Sequence, residues 1–236
     1  LKSIIQKIFN DNGFNNIKIV NPVEESHIEF WANYSDNAVN FYLVLFENNI
    51  LTEDFLSWKI PAYFNAIKQL EMGYDERMDK NLSMIVCVKT DNDETQKNSE
   101  KIFEIEEDPY FFKKYVITYD DNNSKELKAK FNETGESSNA ILNRIINDST
   151  MFLSYKMNEN NTLTSLYEIC TKLMIKIPFI RLEKRLEELD DLSEKINEEL
   201  SEKSLLAFKD SLLGFNENGE RIIDDILSII EDNVEQ

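Results

Sequence analysis

The sequence predicts an α+β protein, with a small mixed sheet and flanking helices over residues 1–120, then an all-helical region over 121–236 containing a short coiled-coil-like helix. Three observations carry this prediction. Runs such as "VNFYLVLFE" and "SMIVCV" are rich in aromatic and β-branched residues, which suit a pleated and buried surface. In "LKSIIQKIF" the apolar residues recur at helical spacing instead. After Asp120 the strand signal ceases, and beyond Pro178 leucines and isoleucines repeat at heptad spacing.

The elements follow in order. Leu1, Ile4, Ile5, Ile8 and Phe9 predict a helix over residues 2–12, stopped by Gly13. "NIKIVNP" reads as a brief strand ended by Pro22. "SHIEFWAN" alternates polar and apolar, and with "VNFYLVLFE" it predicts a hairpin across the turn residues of "NYSDNA". Phe55, Leu56, Ile60, Phe64, Ile67 and Leu70 suit a helix lying across the sheet, kinked or restarted at Pro61. "NLSMIVCVKT" is a buried strand, "IFEIEE" a helix limited by Pro109, and "KYVITY" one more strand. Helices are expected over 124–132, 136–157 and the apolar run ending at Pro178. Leu182, Leu189 and Ile196, with Leu186 and Leu200, form an a/d seam of about three heptads.

Composition bounds the function. A chain of 236 residues with 42% hydrophobic residues can bury its own core without a metal or disulfide staple. It carries 45 acidic against 26 basic side chains, a net charge of -19, and such a field repels phosphate backbones and anionic membranes. No autonomous nucleic-acid binding is expected. Cys87 and Cys170 lie in apolar runs, which suits a reducing compartment, and no run approaches the roughly 18 to 20 apolar residues of a membrane span. The expected location is cytoplasmic.

Motifs for chemistry are sparse, and no cofactor is expected. His27, alternating with Glu29, is the only histidine, which leaves two-histidine metal sites out of reach. Five scattered glycines build neither phosphate-binding loop fingerprint, and no G-x-S-x-G elbow occurs. The helix, hairpin and strand order resembles nuclease cores in which strand carboxylates and a lysine hold a metal. Yet neither Glu29 nor Glu47 is followed two residues on by lysine.

The stretch "EEDPYFFKKYVITYD", residues 106–120, combines acids, aromatics and lysines. Stacking on nucleic acid, ordinary core packing and a docking element are all compatible with it; the acids beside Lys113 and Lys114 disfavour the first. Together with "SMIVCVKTD" and "KNSEKIFEIEEDPYFFKKYVITY", it resembles the middle component of bacterial ABC-three-component systems, in Glu107, Pro109, Tyr110, Lys113, Lys114 and Tyr115. The resemblance implies a non-catalytic accessory subunit that joins an ATPase of the SMC or Rad50 type to an effector, commonly a nuclease, in defence against phage or plasmid DNA, as in Lamassu-type systems. The expected partner contacts are Tyr110, Phe111, Lys113, Lys114 and Tyr115, with Leu186, Leu189 and Ile196 as a second set. Two other readings stay open. One is a degenerate metal-dependent nuclease using Glu29, Glu47 or Asp91; the other is a structural protein that self-associates through its heptad helix.

Overall fold

The computed structural model describes residues 1–24, 26–35, 38–47, 54–71, 73–90, 99–133, 135–159, 161–183, 192–203, 205–206 and 209. Helix α1 (Lys2–Asp11) buries Ile4, Ile5, Ile8 and Phe9, the spacing read from the sequence. It ends in a Schellman turn: Gly13 adopts φ 78, its N–H donates to Asn10 O at 3.1 Å, and the Phe14 N–H reaches back to Phe9 O at 3.0 Å.

Strands β1 (Asn15–Ile17), β2 (His27–Ser35) and β3 (Ala38–Glu47) form an antiparallel meander. A π-helical turn, Phe55–Lys59, leads into α2 (Ile60–Lys68). The helix widens there because Pro61 lacks an N–H and its ring would collide with the carbonyl four residues back; the Ile60 N–H instead donates to Phe55 O. After the short α3 (Met78–Asn81), β4 (Leu82–Lys89) runs parallel to β3. Helix α4 (Ser99–Glu107) then crosses to β5 (Lys113–Tyr119), parallel to β4, which completes a five-stranded sheet in the order β1-β2-β3-β4-β5. The mixed α/β fold class is as expected.

Strand alternation divides the core into two layers. Trp31, Tyr42, Val44, Ile85, Cys87 and Ile117 face α1 and the later helices, whereas Phe30, Phe41, Leu43, Leu45, Val86 and Val116 face α2 and α4. Burial on both sides explains why β4 reads as a continuous apolar run. Four helices follow, α5 (Asp121–Glu133), α6 (Ser138–Ile146), α7 (Ser149–Lys156) and α8 (Thr162–Lys176).

One expectation changes here. The single helix over 136–157 is broken, because Asp148 caps a new helix by accepting from the Met151 N–H at 2.9 Å. The chain's compact units are 1–183 and 184–236, and the helices that follow residue 120 supply Leu127, Ile141, Leu166 and Leu173 to the sheet's own core. In the second unit, α9 (Leu192–Glu202) is helical and leaves Ile196 45% exposed. Leu182 lies in non-helical chain, so no seam begins there. Buried Asn143 holds that segment extended: its Nδ2 donates to Arg181 O at 3.0 Å, and its Oδ1 accepts from the Glu183 N–H at 2.7 Å. Leu186 and Leu189 lie outside the described residues.

Candidate docking surface

The site is built around a lysine that points inward. In β5 residues 114, 116 and 118 share one face, so Lys114 follows Val116 toward the α4 layer and ends 3% exposed. A buried ammonium requires acceptors. Lys114 Nζ donates to Asp108 O at 2.9 Å, Tyr110 O at 2.7 Å and Phe112 O at 3.2 Å, and it pairs with the Asp108 carboxylate. The lysine thus fastens the loop that leads from α4 into its own strand.

Inside that cage the backbone is strained. Phe111 has φ 65, and the Phe112 N–H donates to Tyr110 O at 2.8 Å, which is the less common form of γ-turn. Such a conformation in a bulky residue costs on the order of 1–3 kcal/mol and persists where surroundings over-determine it. Its effect is to separate the aromatics. Phe112 turns inward, whereas Tyr110 is 68% and Phe111 46% exposed. The Phe111 ring rests beside Phe64 of α2, with centroids 5.1 Å apart. An open groove of about 560 Å³ runs past this turn, lined by Phe64, Leu82, Glu107, Pro109 and Phe111 among others.

Glu106 secures the other side of the loop. Its carboxylate accepts from the Val116 N–H at 2.8 Å and from Lys176 Nζ of α8 at 2.6 Å. Lys172 Nζ reaches Thr118 Oγ1 at 3.1 Å. These side chains cover the open side of β5, the edge strand, and blunt it as a template for strand addition.

The structure brings the sequence-predicted contact residues together only in part. Phe111 lies on the α2 side beside Phe64, and Tyr110, next to it in the chain, is exposed. Lys113, at the start of the strand, lines the groove together with Phe111 while its Nζ lies 5.5 Å from the Tyr115 ring centre, and Tyr115 packs on the opposite strand face against the α1 and α8 core. Lys114, also among the expected contacts, lies inside as a clamp, its charge enclosed by the loop. Sequence reasoning missed Phe103, 65% exposed on α4, although its helical phase opposite buried Ile105 was a readable signal.

The proposed metal carboxylates also separate. Glu29 lies on the α1 side, 7% exposed, where Gln6 Nε2 donates to it at 2.6 Å, Trp31 Nε1 donates at 3.3 Å, and His27 Nε2 lies 3.3 Å away. Glu47 is on the other face and accepts from Ser26 Oγ at 2.7 Å. One cation cannot be shared across the sheet; Asp91 lies outside the described residues. Among the described residues no group of three or more His, Cys, Asp or Glu side chains is placed to hold a metal, and no helix is long and apolar enough to cross a membrane. Burial pushes the Cys87 thiol up to about 12, and Cys170 is raised as well, so neither is an activated nucleophile.

No curated protein and no solved structure matches the chain. A family model does, over residues 19–149, from ahead of β2 to the start of α7 and including the clamped turn. That match spans more than half of the sequence, and the chain belongs to the family described as ABC-three component (ABC-3C) system Middle Component 1, an accessory part of a multi-component ABC-ATPase system.

Proposed function

We propose that this chain is a non-catalytic subunit that joins an SMC- or Rad50-like ATPase to an effector, a nuclease, in a Lamassu-type system acting against phage or plasmid DNA. The observation that carries the reading is membership of the middle-component family over the sheet and its docking loop. The mechanism is architectural. The subunit holds the effector inactive, and DNA sensing by the ATPase shifts the assembly toward a state that releases it, as far as the two states differ in affinity. Tyr110, Phe111 and Lys113 are the contact residues around the groove on the first unit, with Tyr115 on the other strand face; Leu186, Leu189 and Ile196 form the set on the second.

The test is co-purification of the full chain with the two other components of its system, with and without ATP and DNA. Recovery of a coiled-coil ATPase together with a nuclease supports the reading. A chain that returns alone, or an assembly whose second protein has no coiled-coil ATPase, overturns it.

A further inference from the structure

The outer face of α4 has a pattern that no described residue compensates. Glu100, Phe103, Glu104 and Glu107 recur at helical spacing and are exposed, opposite Ile105 at 1%. Among the described residues none of these glutamates has an ion pair or side-chain hydrogen bond, whereas neighbouring Glu106 is held by Lys176. The helix has no basic residue in its last turn, so Glu104 and Glu107 oppose the helix dipole as well as each other. Between them stands a phenylalanine 65% exposed. Glu107 and Phe111 line one groove, which makes this stripe continuous with the strained turn.

We propose that the outer face of α4 and the 109–111 turn together seat a helix of a partner protein that presents lysine or arginine around an apolar socket. The occupant follows from three features. Unpaired glutamates call for cationic side chains and repel nucleic-acid phosphates. Phe103 and Tyr110, aromatic and exposed, have the character of anchors that a socket desolvates. The adjoining β5 edge is already covered by Glu106 and Lys172, so the partner approaches through side chains rather than as an added strand. This inference rests on the accessory-subunit reading and names the chemistry of the partner at that site.

The experiment titrates the full chain against each of the other two purified components of its system. With the component that binds, Phe103→Ala combined with Tyr110→Ala is expected to weaken affinity about thirtyfold or more. Glu100→Lys, Glu104→Lys and Glu107→Lys together should slow association and remove most of its salt dependence. A control with the same charge change at exposed Glu24, Glu133 and Glu136, all in the first unit and off α4, should stay within about threefold of wild type, as charges away from a contact do once screened. Circular dichroism should be unchanged throughout, because every altered side chain is exposed. Binding that is indifferent to both α4 variants overturns this inference and leaves the accessory reading standing. A control as damaging as the α4 triple also overturns it, by reducing the effect to net charge. If neither component binds wild type, both readings fall. Self-association of the isolated chain that the α4 variants abolish would assign the face to a second copy, and that too overturns the proposal.

Discussion

Replacing Lys114 with methionine should destabilise the first unit far more than a strand-end lysine normally would. The substitution keeps most of the side chain's volume and removes the ammonium. Asp108, only 20% exposed, then loses its ion pair, and the carbonyls of Asp108, Tyr110 and Phe112 lose their donor. Removing one partner of a buried pair typically costs 3–5 kcal/mol. Partial exposure of Asp108 lets water replace some of that, so a loss of about 3 kcal/mol is expected. For a unit of this size that corresponds to a fall in Tm of roughly 6–12 °C. The assay is urea and thermal unfolding of the full chain, followed by circular dichroism. Adding Asp108→Asn should recover part of the loss, since the uncompensated carboxylate is then gone. A measured loss below about 1 kcal/mol, or no coupling between the two substitutions, would refute the clamp.

Three further outcomes are expected. Gly13→Ala should cost about 1–2 kcal/mol because φ 78 is unfavourable for an L side chain, not because space is short, the nearest atom being Asn33 Nδ2 at 3.9 Å; Gly135→Ala, with open space and no such φ, should be near neutral in the same denaturation assay, and equal costs would contradict the argument. Burial alone would raise the Asp11 carboxyl, but the Ser138 N–H at 2.7 Å and Lys7 at 3.1 Å outweigh it and hold the group below its ordinary 3.8. A depressed folded value stabilises above the ordinary one and is lost as pH falls through the folded one, so the stability gap between wild type and Asp11→Asn should be constant from neutrality to about pH 4 and narrow below it; a gap that widens on acidification would count against this. Cys87 and Cys170 should react with a thiol reagent at pH 8 only at the rate of unfolding, being buried with raised pKa values, and fast labelling of the native protein would show the core layer to be more open than described.

Much of the fold was legible from residue spacing. The helix at 2–12, the aromatic hairpin and the buried strand at 82–89 each follow from a local period, and the proline and glycine punctuation placed their ends. The break at residue 148 was also written in the chain, since Asn147, Asp148 and Ser149 include a strong N-cap ahead of an apolar turn, but an uninterrupted helical period masked it. The helical segments after Asp120 read as a separate region because sequence shows which residues are apolar, not which sheet face they cover.

The candidate site divides in the same way. That 106–120 was unusual came from composition; that Lys114 is a clamp, Lys113 a surface cation and Phe111 a strained display came from the fold. Local periodicity determines which side chains share a face, and Lys114 shares one with Val116. Which side chains at the strand's end become enclosed depends on where α4 and α8 return across the sheet, a long-range choice with no local signature. Glu29 and Glu47 obey that logic too: strand parity separates them, but only the β2–β3 register shows that parity places them on opposite sides of one sheet.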